Sequence, residues 1–344
     1  MPTIASAMSR FIIIFILFFL ASSCKSQVPA DVKAVIDTVL DHAESASMYR
    51  NGVDWPALRG EVYSLAAEAD SIPDLGPAIQ HMLTTLGDEH GRFLYNYQHI
   101  AFYNGPEKPH LKGIDVDMYN QIQLGQTYAF GADLIAPGVG YVRIVGMPMG
   151  DNTQMSQDIQ DAVCAQVAKG AEDWVVDLRY NGGGNMFPMV EGLAAIIGDG
   201  HVGGAVGLTP EENVTWHVVD GDFYYADQSV QLENACRYER LPKVAVLTSM
   251  YTASSGEVVA VVFKGREKTR FFGEPTHGLT TVNDWTPIDS LSVLMLSVST
   301  YQSRDGVVHK SYVEADEHIP YHPNPLSDDD EGVKAALDWL KTDK

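Results

Sequence analysis

Two short stretches of this chain carry residue types that could do chemistry together. The first is Asp177-Leu-Arg-Tyr-Asn-Gly-Gly-Gly-Asn185, which closes the apolar run Asp173-Trp-Val-Val-Asp-Leu178. Three consecutive glycines leave backbone N–H groups without side-chain cover. Such groups at the start of a helix can hold an anion or a developing oxyanion. A phosphate-binding loop is excluded in detail, because the stretch has neither GxGxxG nor Gly-Lys-Ser/Thr. The second stretch is Thr252-Ala-Ser-Ser-Gly-Glu257, between the apolar run Lys243–Thr248 and a helix expected over Gly256–Lys264. A serine on a sharp strand-to-helix turn is exposed near the positive end of the helix dipole, which suits a nucleophile. The same serine could simply cap the helix. A serine nucleophile needs a base. Leu86-Gly-Asp-Glu-His-Gly-Arg92 offers His90 in a polar, glycine-flanked turn, where a plain surface histidine is the alternative. None of the other histidines has a better context.

The elements that must position these residues follow from periodicity. Val32–Leu40 has apolar residues at helical spacing, Asp54-Trp-Pro-Ala-Leu58 opens a second helix with Asp54 as N-cap, and Leu75–Leu86 forms a third. From Gly113 the pattern changes. Gly140–Val145 reads as a strand and Gln154–Ala168 as an amphipathic helix; Asp173–Leu178 is a buried strand leading to a helix over Met186–Ile197. Lys243–Thr248 and Thr269–Gly273 are further strands. Strands alternating with helices imply βαβ units and a mainly parallel sheet. Leu291–Ser303 reads as one or two antiparallel strands, and Glu331–Lys341 as a closing helix.

Three ordered motifs, Asp177–Asn185, Thr252–Glu257 and Gly273-Glu-Pro-Thr-His-Gly278, resemble those of the C-terminal processing (tail-specific) serine proteases. Val53–Leu58 through Leu86-Gly-Asp-Glu-His90 resembles the helical segment of that family's tricorn-like branch. The resemblance implies an α/β fold whose mainly parallel, crotonase-like or ClpP-like core sheet follows a small N-terminal helical bundle. It implies Ser254 as nucleophile and His90 as general base, then acid. Leu279 stands where the Ser-Lys branch has its lysine base, so that mechanism does not apply. An acidic residue near the chain end is expected at Glu314, although the alignment could bring His309 there instead. Glu257 matches the family's glutamate on the nucleophile helix, as anchor of the helix start or as catalyst. Asn283 falls where the Ser-Lys branch has a polar amide. The oxyanion hole would combine an N–H of Gly183 or Gly184 with that of Ser255. The implied domains are a bundle over 28–95, a short insert over 96–137 in place of a PDZ domain, and a peptidase core over 138–344. The function expected is hydrolysis of peptides or unfolded proteins, the alternative being a peptide-binding member of the fold without catalysis.

Composition agrees with export rather than nucleic-acid work. The chain has 344 residues and a formal charge of −22, with no basic run to neutralise phosphates. Aromatic residues make up 10 % and there are three cysteines, which excludes wholesale disorder and a disulfide-dense scaffold. Arg10, the apolar run Phe11–Leu20 and the small residues Ala21-Ser-Ser23 describe a secretory signal over residues 1–27. Leu20-Ala-Ser-Ser-Cys24 resembles a bacterial lipoprotein signal, with Cys24 lipidated, in the periplasm or at the outer membrane; an ordinary signal peptide with Cys24 incidental is the alternative. Export would place Cys164 and Cys236 in an oxidising compartment, paired or as two buried thiols. No metal-type Cys/His spacing appears, and no cofactor is expected.

Overall fold

The computed structural model describes residues 28–126, 129–233 and 235–342. The signal segment and Cys24 lie outside the described residues. Helices α1 (Ala30–Ala46), α2 (Trp55–Leu65) and α3 (Gly76–Leu86) come first. α1 buries Val32, Val35, Ile36, Val39, Leu40 and Ala43 along one stripe. α2 starts where the Asp54 carboxylate accepts from the Ala57 N–H, with Pro56 in its first turn. α3 stops at Gly87 in the left-handed conformation, φ 73°. That stop delivers the chain directly into Asp88-Glu-His90.

The chain then alternates between two sheets. Strands β1 (Arg92–Tyr95) and β2 (Gln98–Phe102) are followed by α4 (Val116–Gln123), β3 (Gly131–Ala136), β4 (Val139–Arg143), α5 (Asn152–Ala168) and β5 (Asp173–Asp177). After these come α6 (Met186–Gly192), α7 (Ala194–Ile197), β6 (Gly200–Val206), β7 (Val214–Val219), β8 (Asp222–Tyr225) and β9 (Gln228–Ser229). The chain ends with β10 (Val244–Thr248), α8 (Ser255–Phe263), β11 (Thr269–Gly273), β12 (Thr281–Pro287), β13 (Ser292–Ser303), β14 (Glu317–His318) and α9 (Glu331–Leu340).

The six-stranded sheet has the order β14-β11-β10-β5-β4-β3 and is parallel except where β3 meets β4. The expected mainly parallel core is therefore present. β5 and β10 are buried at every position, because helices cover both faces of this sheet. Trp174, Val176 and Val246 face the core formed with α5, α6 and α8, while Val175, Ala245 and Leu247 pack under Val333, Ala336 and Leu340 of α9. The second sheet, with eight antiparallel strands, runs β2-β1-β13-β6-β7-β8-β9, with β12 also on β13.

Sequence patterning did not separate out this second sheet. β6 contains Gly200, Gly203 and Gly204, weak strand formers. Its pairing to β13 is close: a Cβ at Gly203 would sit 2.7 Å from the Gln302 carbonyl. β13 is one continuous strand, and it joins the parts of the molecule. Its Leu294 and Leu296 complete the core of α1, α2 and α3, so the helical segment packs on a sheet rather than only on itself.

Cys164 of α5 and Cys236 form a disulfide, with Cα atoms 5.4 Å apart and a sequence separation of 72. Closing a loop of this length restricts the unfolded chain by about 4 kcal/mol in the chain-entropy treatment. Reduction, or Cys164→Ala with Cys236→Ala, is expected to lower the unfolding free energy by about 2–4 kcal/mol. Paired unfolding curves with and without reductant check this.

Candidate active site

The two turns singled out in the sequence are neighbours because β5 and β10 pair in parallel, Val246 beside Val176 and Leu247 beside Asp177. Both turns leave the same end of the sheet. Hydrogen bonds clamp one to the other: Ser249 Oγ donates to the Arg179 carbonyl (2.6 Å), Thr252 Oγ1 to that of Leu178 (2.8 Å), and the Ala253 N–H to that of Asn181 (2.9 Å). The Arg179 guanidinium, itself buried, donates to Asp177 at 2.8 and 3.0 Å and to Asp330 at 2.8 and 2.9 Å. Burial pulls its pKa down, but the two carboxylates raise it well above the ordinary value. The glycine turn is thus tied to the start of α9, which Asp330 caps.

Ser254 has φ 53° and ψ −120°, a conformation that non-glycine residues rarely adopt. Strain of this kind clusters at functional turns and costs on the order of 1–3 kcal/mol. Glu257 helps to hold it. Its buried carboxylate accepts from the N–H groups of Ser254 (2.9 Å), Gly278 (2.8 Å) and Leu279 (2.7 Å) and from Thr276 Oγ1 (2.5 Å). Burial pushes Glu257 up to about 7, while these donors pull the other way. Its contacts are those of an anchor for both the serine turn and the 276–279 loop.

His90 lies in the turn after α3, half-buried. Its Nε2 is 3.0 Å from Ser254 Oγ and its Nδ1 is 2.9 Å from Thr281 Oγ1. The Asn283 Nδ2 donates to the His90 carbonyl at 3.0 Å. Burial, with the neighbours Arg92, Lys108 and His277, pushes the imidazole down to about 3. Thr281 Oγ1 is in turn 2.9 Å from Ser297 Oγ, which donates to Asp88 Oδ1 at 2.7 Å. Asp88 also accepts from the N–H groups of His90, Gly91 and Ser297.

The structure does not bring Glu314 to His90. Both ring nitrogens of His90 are engaged elsewhere, and the Glu314 side chain is exposed on the segment after Val313. His309 also lies away from the imidazole, with Nε2 3.1 Å from Ser303 Oγ. Thr281 occupies the place where an acid was expected. Asp88 stood inside the quoted motif without a role, and nothing in the sequence marked Thr281 or Ser297.

The glycine turn faces the serine turn directly. A Cβ at Gly183 (φ 106°) would lie 2.8 Å from Ser254 Cβ, so no other residue fits there. The Gly183 N–H donates to Asn181 Oδ1 at 3.0 Å. Among the hydrogen bonds of the described residues, none engages the N–H of Gly184 or of Ser255. α4 lies over this turn: Gln123 Nε2 donates to the Gly182 carbonyl (2.8 Å), Ile122 packs on Tyr180 and Tyr251, and the Tyr119 ring stacks on His277 at 4.8 Å. A cavity of about 310 Å³ opens beside His90, lined by Glu89, Lys108, His110, Thr281, Lys310 and Tyr312 among others. No group of metal-ligating side chains occurs among the described residues.

A strained serine, a histidine within hydrogen-bond reach and paired backbone donors on parallel-sheet turns define a hydrolase-type site. The chain matches Peptidase family S41 over residues 138–319, more than half its length, and it belongs to that family. It is 26 % identical over 168 residues to a nisin-resistance protein of Lactococcus lactis subsp. lactis. That match covers 49 % of this chain and spans about half, 49 %, of the relative. A lipoprotein from Streptococcus agalactiae superposes with TM-score 0.65 at 18 % identity, covering 91 % of this chain and 96 % of the other. The photosystem II D1 C-terminal processing protease gives TM-score 0.55 at 18 % identity, with 90 % and 98 % covered. A putative peptidase from Parabacteroides merdae gives 0.57 at 15 %, with 90 % and 96 % covered. At these identities the superpositions establish the fold, which is the one the motif resemblance implied. The chain is thus a member of a peptidase family.

Proposed function

We propose that the protein is an exported serine endopeptidase with Ser254 as nucleophile and His90 as its base. The observation that carries this reading is the 3.0 Å contact between His90 Nε2 and Ser254 Oγ. It favours catalysis over the non-catalytic peptide-binding alternative, because the contact is already within hydrogen-bond reach. In the first step Ser254 Oγ bonds to the scissile carbonyl carbon while its proton passes to Nε2. The carbonyl oxygen takes the negative charge, and the amide C–N bond then breaks as Nε2 returns the proton to the leaving nitrogen. Water then gives its proton to Nε2 and bonds to the acyl carbon, and the bond from that carbon to Ser254 Oγ breaks as Nε2 returns the proton to Oγ. The Gly184 and Ser255 N–H groups are the oxyanion donors in this reading. Gly183 instead shapes the turn, since its N–H is held by Asn181. Such a donor is worth about 3 kcal/mol in the barrier.

Export is supported by the signal-like start, by the Cys164–Cys236 bond and by the likeness to a lipoprotein. Lipidation of Cys24 would add a membrane anchor, and mass spectrometry of the membrane-extracted protein tests it. The partial match to a nisin-resistance protein makes nisin the first substrate to assay. A fluorophosphonate probe is expected to label Ser254 in the folded wild-type chain, and Ser254→Ala to abolish labelling and peptide hydrolysis. A folded wild-type protein that takes no label and cuts no peptide would overturn the proposal.

The depressed pKa of His90 has a sign that can be checked. A base is useful when neutral, and burial keeps this imidazole neutral down to about pH 3. The acid limb of kcat/KM is therefore expected well below pH 6, instead of near the ordinary histidine value of about 6.5. Between those values the unfolded chain binds the proton and the folded one does not, so this group's contribution to stability falls as pH drops through that window. A kcat/KM profile from pH 3 to 8 measures the limb.

A further inference from the structure

We propose that Thr281, Ser297 and Asp88 form a one-directional hydrogen-bond relay that orients His90, in place of a carboxylate bonded directly to the imidazole. This rests on the reading of His90 as base. The direction follows from counting hydrogens. An ionised carboxylate only accepts, and Asp88 is surrounded by donors: the N–H groups of His90 (3.2 Å), Gly91 (2.8 Å) and Ser297 (2.9 Å), and Ser297 Oγ (2.7 Å). The single hydroxyl hydrogen of Ser297 is committed to this shorter contact, the alternative acceptor Asn283 Oδ1 being 3.3 Å away. Ser297 Oγ must then accept from Thr281 at 2.9 Å. Thr281, having given its hydrogen away, can only accept from His90 at 2.9 Å. The proton of the neutral imidazole is thereby placed on Nδ1, and the Nε2 lone pair faces Ser254 Oγ. No proton moves along the relay; it sets the tautomer and the ring plane.

The elements around it explain why a relay is present. Asp88 and His90 sit on the turn closed by Gly87, Thr281 opens β12, and Ser297 lies on β13; the antiparallel register sets Asn283 opposite Ser297 and leaves Thr281 diagonally beside it, the two hydroxyls 2.9 Å apart. A carboxylate in direct contact would put a full charge next to the imidazole. Here the Asp88 charge is held two hydroxyls away from the ring along the relay, and Arg92, Lys108 and His277 act on the imidazole as well. Tyr49, whose hydroxyl is raised by burial and by Asp88 and Glu89, faces the Ser297 end of the relay. Burial raises the Asp88 pKa, and the Ser297 hydroxyl and the three N–H groups pull it the other way without reversing it. These three are positioning residues, as none touches the place where substrate must react.

The test compares Thr281→Val, which keeps the shape and removes the hydroxyl, with Thr281→Ser, which keeps it. Thr281→Val is expected to lower kcat on the order of 10²-fold with KM little changed, the scale of losing near-attack alignment. It should also move the acid limb of kcat/KM to lower pH, because the imidazolium loses its Nδ1 acceptor. Thr281→Ser should keep both within about threefold of wild type. Imidazole ¹⁵N shifts in the wild-type protein should report the Nδ1–H tautomer, and Ser297→Ala should mix it with the other. Matching thermal midpoints of the variants guard against a folding defect. An Nε2–H tautomer in wild type, or Thr281→Val with wild-type kcat and acid limb beside an inactive His90→Ala, overturns the relay alone. Unchanged turnover in His90→Ala overturns the base reading and the relay with it.

Discussion

Ser254→Ala and His90→Ala are each expected to lower kcat/KM on the order of 10⁶-fold, and the double variant no further than the worse single. The pair acts as one unit: the hydroxyl is inert at neutral pH without Nε2 to take its proton, and Nε2 has nothing to deprotonate without the hydroxyl. Residual hydrolysis above the rate in water, on the order of 10³-fold, should remain from the Gly184 and Ser255 donors and from binding. Steady-state kinetics on one peptide with the four proteins decides this. Additive losses, with the double variant far below either single, would mean that the two side chains serve separate steps.

The largest stability effect is expected at Arg179. Arg179→Met should cost about 3–5 kcal/mol, because it leaves the buried carboxylates of Asp177 and Asp330 facing each other without a cation. Asp177 closes β5 beneath the glycine turn, and Asp330 accepts from the Val333 N–H to start α9. The damage should therefore reach the active-site turn and the terminal helix together. Urea unfolding at neutral pH measures the loss. Adding Asp177→Asn and Asp330→Asn to the Arg179→Met variant should recover part of it, since the penalty is mostly uncompensated charge. Arg179 also holds the Asp330 carboxyl below its usual range against the opposing effect of burial. That share of stability is present above the unfolded pKa of about 4 and fades as pH falls through the folded one.

Much of the core was readable from residue patterns, for identifiable reasons. β5 and β10 are unbroken apolar runs because both faces of the parallel sheet are covered, and such runs announce themselves. The outer antiparallel sheet is quieter: β6 is rich in glycine, β9 has two residues, and their partners come from distant parts of the chain. Ser254 and His90 were visible as residue types in suggestive turns, but 164 positions separate them, and only the fold sets the 3.0 Å contact. Glu314 was expected as third partner because acid was the chemistry to look for, whereas the structure brings Thr281 to His90 Nδ1. A threonine at the start of a strand carries no such mark. Cys164 and Cys236 left pairing undecided, since residue spacing says nothing about the distance between their elements.

The long strand β13 has a consequence for a chain that emerges from its N-terminus first. The apolar stripe of α1, α2 and α3 is finished only by Leu294 and Leu296, and His90 meets Ser254 and Thr281 only once that late segment has arrived. On the proposed reading, a half-synthesised molecule therefore carries no working blade, and its capacity to cut would come into being together with the completed fold.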